Sequence, residues 1–318
     1  MASKARLGWL AFLVAVVVVP AVSGGYVGHV AVFISIYVIL ASSLNIMIGL
    51  SGRTCFAHAA FAVIGGYACA LLQLRLHIPY WIALAMAGVV TAIAGVMLGI
   101  PATRTRGPYL SLVTLGFGEI VRQVSINAMN LTRGPLGIPG LPRPSIAGRR
   151  FGQYEMFLLC FLTAVATVVI CSRLMHSRFG RSVMAIREDE TAAQAFGIDI
   201  ARTTVIAFAV SAFFAGIAGA LSATYLQLIS PDLFTFADMF IMVCMVVLGG
   251  SGTVFGPVLG AAMLAAAPEM LRFLDEYRML VFGALLVAGI RWWPSGVISK
   301  RLDEKLLRGF YFGAGARD

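Results

Sequence analysis

Charged side chains are scarce in this sequence. They account for 12% of its 318 residues, whereas 60% of the residues are hydrophobic. A soluble domain carries about 25% charged residues, so too little charge is present to cover the surface of a water-soluble protein of this length. The composition therefore excludes that class and indicates an integral membrane protein.

Several motifs of catalysis and nucleotide binding are absent. The dipeptide Gly-Lys does not occur, which excludes the phosphate-binding loop G-x-x-x-x-G-K-[ST]. The motifs H-E-x-x-H and G-x-S-x-G are missing, as is a cluster of acidic residues for metal-assisted catalysis. We therefore predict a protein that is not an enzyme and binds no cofactor, so that any ATP-driven movement must be powered by a separate, ATP-binding subunit.

The five cysteines form no close pair and have no histidine at a metal-binding spacing. Each lies in or beside an apolar run, so packing is their expected role and no metal site is predicted. The formal net charge of +10 arises from basic residues that are dispersed among short loops. Nucleic-acid-binding proteins gather such residues on one face, so contact with membrane lipid explains these charges better than nucleic acid does.

Apolar runs long enough to cross about 30 Å of hydrocarbon recur along the whole chain. Helices satisfy their own backbone hydrogen bonds in a bilayer, so helices are the expected spanning elements. We predict an all-α membrane protein, a polytopic bundle of about 8–10 transmembrane helices that forms a single domain over residues 1–318. The expected spans are 7–22, 27–49, 56–74, 80–100, 109–128, 154–174, 204–228, 233–249, 253–271 and 278–297.

The distribution of Lys and Arg predicts the orientation of the chain. With a cytoplasmic N-terminus, ten spans place 15 of the 24 basic residues on the inner side and 7 on the outer side, in agreement with the positive-inside rule. Both termini and the charged insert at residues 172–204 are then cytoplasmic. The first segment, 7–22, precedes small residues at 21–24 and is either an uncleaved span or a signal peptide.

The insert at residues 172–204 is the only long, densely charged stretch in the chain. Asp189 is expected to cap a short helix there, and Gly197 is expected to end it in the left-handed conformation. Glu190 falls in the first turn, where the helix dipole favours an anion. The pattern indicates a docking surface, with an ordinary solvated helix as the alternative. Three residues are expected to share one face: Ala192, Ala193 and Phe196.

The insert resembles a known coupling element. Its run ETAAQAFGI at residues 190–198 resembles the EAA loop of ABC importer permeases, the cytoplasmic helix that sits in a groove of the ATP-binding subunit. The wider stretch SRFGRSVMAIREDETAAQAFGID is similar to the form found in LivM-type branched-chain amino acid permeases, although Thr191 departs from the general importer pattern. The resemblance implies a coupling loop at residues 175–203 and ATPase contacts by Arg187, Asp189, Glu190, Ala192, Ala193, Phe196 and Gly197.

Two more stretches resemble the same family. FAHAAF at residues 56–61 matches its G-H-A-A-F block, with alanine at position 57 in place of glycine. TLGFGEI at residues 114–120 matches its T-L-x-F-G-E-I block, and in the loop that follows Arg133 stands where glycine is common. Interrupted, partly polar spans line pathways in transporters. The candidate pathway residues are Asn45, Ser51, Gly52, His58, Glu119, Ser251 and Gly252.

These candidates also have structural interpretations. Glycines within spans either line a cavity or allow close helix packing, and the latter is expected along 204–228, where small residues form two rows. His58 is either an interior, hydrogen-bonded residue or a substrate ligand. Glu119 is expected in an apolar setting, where a lone carboxylate is costly. Arg122 lies on the same helix face, so a structural ion pair and a substrate site are equal alternatives.

A short glycine-rich sequence occurs twice. GLSG at residues 49–52 returns as GGSG at residues 249–252, each time between two apolar helices. Paired interrupted segments in two halves of a transporter point to an internal repeat and to a central pathway between the halves. We therefore predict an internal repeat, and its symmetry is either parallel or inverted.

The resemblance implies the transmembrane permease subunit of a bacterial ABC importer, which forms the translocation pathway for branched-chain amino acids in the inner membrane. The expected partners are a second, LivH-like permease, two ATP-binding subunits and a periplasmic substrate-binding protein. The same machinery also carries urea, amides or aromatic acids in similar permeases. An ion-driven secondary transporter is the alternative from another class, and Glu119 is its one credible ion-coupling residue.

Overall fold

The computed structural model describes residues 25–105, 107–146 and 148–270, together with residues 283, 284, 287, 291, 296–299 and 303. Apolar runs form its long helices. The helices are α1 (Gly25–Asn45), α2 (His58–Leu74), α3 (Tyr80–Ala102), α4 (Pro108–Asn127), α5 (Met129–Thr132), α6 (Gln153–His176), α7 (Arg178–Glu188), α8 (Glu190–Ala195), α9 (Ile200–Leu226), α10 (Phe236–Gly250) and α11 (Phe255–Met270). The strands are β1 (Ile138–Pro139), β2 (Ser145–Ile146), β3 (Arg149–Arg150) and β4 (Leu228–Ile229).

The long helices lie where the sequence predicts them. Among the described residues, four helices are long and apolar enough to cross a membrane, namely α1 with its π-helical extension Ile46–Leu50, α3, α6 and α9. The helices α2 and α10 and most of α11 are shorter and apolar. Each expected span from 27–49 to 253–271 matches a helix to within a few residues, so a polytopic helical bundle is confirmed. The expected span 7–22 and most of 278–297 lie outside the described residues.

α9 packs between α2 and α3 through small residues. A Cβ atom added to Gly65 of α2 would lie 2.2 Å from the carbonyl oxygen of Gly216, and one added to Gly219 of α9 would lie 1.8 Å from that of Ala62. Both distances are far shorter than a van der Waals contact, so glycine is what lets these backbones approach. The close packing predicted for α9 is therefore confirmed.

α1 lies at the centre of the bundle. It packs against α6, α9, α10 and α11, and every residue from Val38 to Asn45 is buried. Near its beginning, His29 Nδ1 lies 2.8 Å from the hydroxyl oxygen of Tyr225 at the end of α9. α1 is therefore fixed on all sides by helices from later parts of the chain.

Residues 177–199, called the helical insert below, form two helices where a single short helix was expected. α7 begins after Ser177, whose hydroxyl accepts a hydrogen bond from the N–H of Gly180 at 3.2 Å. Val183 and Ile186 of α7 are buried and Arg187 is exposed. The prediction lacked α7 because charged residues interrupt its short apolar pattern, and its stability comes from the burial of one narrow apolar face.

Short strands close the opposite end of the bundle. β1 pairs with β4 in antiparallel fashion, with Ile138 opposite Ile229, and β2 pairs with β3. Gly137 has a φ of +68°, and a Cβ atom there would lie 2.1 Å from the carbonyl oxygen of Ile229. This glycine therefore allows the loop between α4 and α6 to lie against the turn between α9 and α10.

Candidate functional site

The beginning of α8 has the cap that the sequence predicts. Asp189 Oδ1 accepts hydrogen bonds from the backbone N–H groups of Thr191 at 2.8 Å and Ala192 at 3.1 Å. It also accepts one from the Thr191 hydroxyl at 2.6 Å. The hydroxyl bond above all, together with the two backbone bonds, lowers the pKa of Asp189 below its ordinary value. Asp189 is therefore a charged N-cap near neutral pH.

The end of α8 also agrees with the prediction. Gly197 has a φ of +81°, which is the left-handed conformation that favours glycine. Its N–H donates to the carbonyl oxygen of Gln194 at 2.9 Å, and the N–H of Ile198 donates to that of Ala193 at 3.1 Å. These two bonds form a Schellman motif, so the short helix is capped at both ends.

The exposed face of α8 differs from the predicted one. Phe196 is 87% exposed and Ala192 is exposed as well, but Ala193 is only 3% exposed. Consecutive residues of a helix point about 100° apart, so Ala192 and Ala193 face different directions. The expectation that Ala193 belongs to an exposed docking face is wrong, because this alanine packs against the rest of the chain.

Two arginines connect the helical insert to the end of α1. Arg53 Nη2 donates to Glu190 Oε1 at 2.8 Å, and the Arg53 and Glu190 side chains are 10% and 24% exposed. Arg53 Nη1 also donates to the carbonyl oxygen of Ala102 at the end of α3, at 3.2 Å. Arg187 donates a hydrogen bond to the carbonyl oxygen of Gly49. The insert is therefore attached directly to the extension of α1 and, through Arg53, to the end of α3.

The two glycine-rich sequences, called the first (49–52) and second (249–252) glycine turns below, lie in contact. Asn45, which is 3% exposed, donates from Nδ2 to the carbonyl oxygen of Thr253 at 2.8 Å and accepts at Oδ1 from the N–H of Gly252 at 2.9 Å. A Cβ atom on Gly49 would lie 2.4 Å from the Gly252 nitrogen. The structure thus brings the two glycine turns of the predicted repeat into contact, at the end of the bundle where the helical insert lies.

Residues near the C-terminal end of the chain also hold the second glycine turn. Asp303, which is 6% exposed, accepts hydrogen bonds from the N–H groups of Val254 at 2.9 Å and Phe255 at 3.0 Å. A carboxylate at this position accepts from backbone N–H groups at the beginning of α11 and interacts favourably with the helix dipole. The segment after the turn is therefore capped by a residue almost 50 positions further along the chain.

The remaining candidates near this end have local structural partners. His58 is fully buried, and its Nε2 lies 2.9 Å from the hydroxyl oxygen of Ser43. The hydroxyl of Ser51 donates to the carbonyl oxygen of Met47 at 2.7 Å. Of the two interpretations of His58, the structure favours an interior, hydrogen-bonded residue.

A cavity of about 370 Å³ lies between α2, α4 and the beginning of α10. Of the seven pathway candidates, Glu119 alone lines it, and Arg122 lies beside Glu119 on the same wall. The rest of the wall is mostly apolar and includes Phe56, Val63, Leu115, Phe236 and Met239. Ligand sites of proteins typically have this composition, an apolar lining with a few convergent polar groups.

Arg122 pairs with two carboxylates at this cavity. Its Nη1 lies 3.7 Å from Glu119 Oε1, close enough for the ion pair that was one of the two alternatives, and its Nε donates to Asp232 Oδ1 at 3.0 Å. Glu119 is not deep in an apolar setting as expected, because its side chain is 56% exposed. The reason is that α4 lies at the edge of the described structure and has few buried residues.

Another, more open cavity of about 520 Å³ adjoins α8. It lies between α8 and the beginning of α9, and Glu190, Gln194, Ile198 and Asp199 line it. The exposed Phe196 and this groove thus lie on the same short helical segment. Within the described parts of the chain, no group of three or more His, Cys, Asp or Glu residues is arranged to hold a metal ion.

Sequence reasoning missed three residues of these sites, namely Arg53, Asp232 and Asp303. Each one bonds to a group more than 45 positions away, so no local pattern identifies its partner. A signal did exist for Arg53, which is a charged residue directly after a glycine turn in a chain with little charge. Such a charge close to a span needs a partner.

Residues 26–289 match a protein-family model described as branched-chain amino acid transport system / permease component. The high-affinity branched-chain amino acid transport system permease protein LivM of Salmonella typhimurium is 38% identical, over 93% of this chain and 75% of its own length. LivM of Escherichia coli is 37% identical over the same shares. The permease protein LivH of Salmonella typhimurium is 28% identical over 48% of this chain and 49% of its own length.

No solved structure shows a significant match to the chain. The family model nevertheless covers the bundle from the beginning of α1 to beyond α11, including the helical insert and both glycine turns. The chain therefore belongs to the permease component family of branched-chain amino acid transport systems.

Proposed function

We propose that this chain is the membrane-spanning permease subunit of an ABC importer for branched-chain amino acids, and that a separate ATPase drives it. The family and the names of the LivM relatives support this cargo. The likeness of part of the chain to LivH supports assembly with a second, related permease. In this assembly two ATP-binding subunits dock on the helical inserts, and a periplasmic binding protein delivers the amino acid at the opposite end.

The observation that carries the coupling role is the attachment of the helical insert to the first glycine turn, which in turn contacts the second. Arg187 bonds to Gly49, and Glu190 pairs with Arg53 just after the first glycine turn. Asn45 then joins the first turn to the second. A push on α8 therefore reaches the ends of α1, α3 and α10 through a continuous series of contacts, in which Arg53 and Asn45 are intermediates. Rigid-body movement of packed helices is a known way to gate such a pathway.

The exposed part of α8 is the proposed ATPase contact. Phe196 is 87% exposed, yet it follows a helix whose two ends are capped within the insert itself. An exposed aromatic side chain on a rigid element is a common anchor at protein interfaces. The insert end is then cytoplasmic, as are both chain termini, in agreement with the excess of basic residues on that side.

The test is co-purification of the chain from its native membrane, with bound proteins identified by mass spectrometry. We expect to recover an ATP-binding subunit and a second permease with the unaltered chain. Phe196→Asp should release the ATPase. Leu136→Asp is a matched control, because Leu136 is 86% exposed and belongs to the loop at the opposite end.

Leucine uptake by the recovered complex in proteoliposomes then tests the cargo. ATP-dependent uptake that is abolished by Phe196→Asp and preserved in Leu136→Asp supports the proposal. Recovery of this chain alone, with uptake that follows a proton or sodium gradient, would replace it with a secondary transporter. ATP-dependent uptake of urea, amides or aromatic acids in place of leucine would keep the machinery and overturn the cargo.

A further inference from the structure

The cavity between α2, α4 and α10 combines two opposite charges with an apolar wall. Glu119 and Arg122 both line it, and they lie three residues apart on one face of α4. The chain has few charged residues, 12% of the total, and this cavity places two of opposite sign on one wall. A role in ion pairing alone does not require that both groups adjoin a cavity of about 370 Å³.

Each of the two charged groups forms a hydrogen bond with a neighbouring side chain through only some of its polar atoms. Asp232 accepts from Nε of Arg122 at 3.0 Å, and Gln123 donates to Oε1 of Glu119 at 2.7 Å. Among the described residues, none forms a hydrogen bond with Arg122 Nη2 or Glu119 Oε2. Both side chains are therefore positioned by their neighbours while one donor nitrogen and one acceptor oxygen remain available.

The spacing of these groups suits the head group of an α-amino acid. Residues three apart on a helix have Cβ atoms about 5–6 Å apart, so both side chains reach the same small volume. An α-amino acid carries its ammonium and carboxylate groups on one carbon atom. The ammonium group can pair with Glu119 while the carboxylate accepts from Arg122, and such charge-assisted hydrogen bonds are the strong ones.

The apolar wall suits a small aliphatic side chain. Val63, Phe236 and Met239 line the cavity, and methionine adapts its shape to branched groups. Ala59 and Ala60 leave room on the side of α2. The volume lies near the lower end of the range of about 300–1,000 Å³ found for ligand sites, which favours a ligand of the size of leucine over a larger one.

We infer that this cavity binds a zwitterionic α-amino acid with an aliphatic side chain, through its ammonium group on Glu119 and its carboxylate on Arg122. Asp232 and Gln123 are positioning residues. The inference rests on the proposed function, because it assigns a place in this chain to the proposed cargo. It adds a site at which the permease itself, and not only a binding protein, distinguishes amino acids from other small molecules.

The experiment uses the assembled transporter in lipid nanodiscs without its binding protein. Leucine binding is measured by saturation-transfer NMR, which detects weak complexes. We expect leucine to bind, whereas 4-methylpentanoate, which lacks the ammonium group, and isoamylamine, which lacks the carboxylate, do not compete. Glu119→Gln and Arg122→Gln should each weaken leucine binding at least about tenfold.

Matched variants separate binding from loss of folding. Glu155→Gln makes the same chemical change in an ion pair outside the cavity, 3.4 Å from Arg149, and should leave binding unchanged. Ala60→Leu fills part of the cavity without altering its charges, so it should weaken leucine binding more than alanine binding. Basal ATP hydrolysis by each complex reports that the subunits are still assembled.

The inference is overturned if leucine binds equally well to the unaltered complex, Glu119→Gln and Arg122→Gln. It is also overturned if the complex performs ATP-dependent leucine uptake with its binding protein but shows no leucine binding without it, and the proposed function then stands. Failure of the proposed function has a different signature, in which no leucine uptake occurs although the assembled complex hydrolyses ATP and imports another cargo.

Discussion

Asn45 uses both ends of its amide group at the contact between the two glycine turns. Its partners are the carbonyl oxygen of Thr253 and the N–H of Gly252. A buried polar group that loses its partner costs about 1–3 kcal/mol. Ser42 lies three residues earlier and is also buried, but its hydroxyl forms no hydrogen bond with the described residues. Alanine substitutions at the two positions can therefore be compared, one removing buried hydrogen bonds and the other removing none.

We expect Asn45→Ala to lower the free energy of unfolding by roughly 2–4 kcal/mol, because two buried groups lose their partner. Ser42→Ala should change it by less than about 1 kcal/mol, since no hydrogen bond is removed. Thermal unfolding of both variants in the same detergent measures the difference. Equal destabilisation would show that Asn45 does not hold the turns together.

The cap of α8 gives a prediction for Asp189. Its lowered pKa means that the charged cap stabilises the helix above the ordinary carboxyl pKa, and that this stabilisation is lost as the pH falls through the lowered value. The cap should therefore be intact at about pH 5 and above. In hydrogen exchange at neutral pH, Asp189→Ala should reduce protection of Thr191 and Ala192, whereas Asp189→Ser should retain most of it. Unchanged protection in the alanine variant would contradict the cap.

At the scale of residues, the local contacts were predictable and the distant ones were not. Asp189 and Gly197 act within a few positions of their own place in the chain, so residue type and spacing identify their roles. Arg53 pairs with Glu190, 137 positions away, and Arg122 pairs with Asp232, 110 positions away. Such partners are chosen by the packing of helices, which the sequence alone does not specify.

At the scale of elements, α9 depends on small residues that face two neighbouring helices at once. A Cβ atom on Gly219 would collide with the backbone of α2, 1.8 Å from the carbonyl oxygen of Ala62. Gly116 of α4 presents the opposite case, since a Cβ atom there has no atom within 4 Å. Both glycines lie inside helices, so their intrinsic cost to the helix is the same.

Gly219→Ala should therefore lower the free energy of unfolding by at least about 1–3 kcal/mol, since α2 and α9 must separate to admit the methyl group. Gly116→Ala should raise it by about 0.5–1 kcal/mol, because alanine favours a helix and meets no obstacle. Thermal unfolding of the purified chain measures both effects. A loss of stability in Gly116→Ala as large as that in Gly219→Ala would contradict this packing.

The apolar runs predicted the long helices, because about 20 apolar residues can span a bilayer in few other ways. α7 was not predicted, since its apolar face consists of a few residues such as Val183 and Ile186 in a charged sequence. The burial of Ala193 was missed for a related reason. Which face of a two-turn helix lies inward depends on its neighbours and not on its own composition.

At the scale of the whole molecule, the helical insert and both glycine turns lie at one end, and the paired strands β1 and β4 lie at the other. This separation provides a test of orientation. Gln194 is exposed in the insert, and Leu136 is 86% exposed at the strand end. The described cysteines are buried except Cys244, which is partly buried, so the unaltered chain should show little labelling.

We expect Leu136→Cys to react with a membrane-impermeant maleimide in spheroplasts, which expose the outer face of the inner membrane. Gln194→Cys should react only after the membrane has been made permeable, because the positive-inside rule places the insert in the cytoplasm. Gel shift of the labelled chain measures both reactions. The reverse pattern would invert the proposed orientation and exclude ATPase docking on the insert.

The contact between the glycine turns also has a consequence for the synthesis of the protein. Asn45 is made 208 residues before its partner Thr253, which at 5–20 residues per second corresponds to about 10–40 s of synthesis. Throughout that interval the side-chain amide of Asn45 lacks its hydrogen-bond partners, because the second glycine turn has not yet been synthesised. This end of the nascent bundle therefore closes late, only after the second glycine turn has been synthesised.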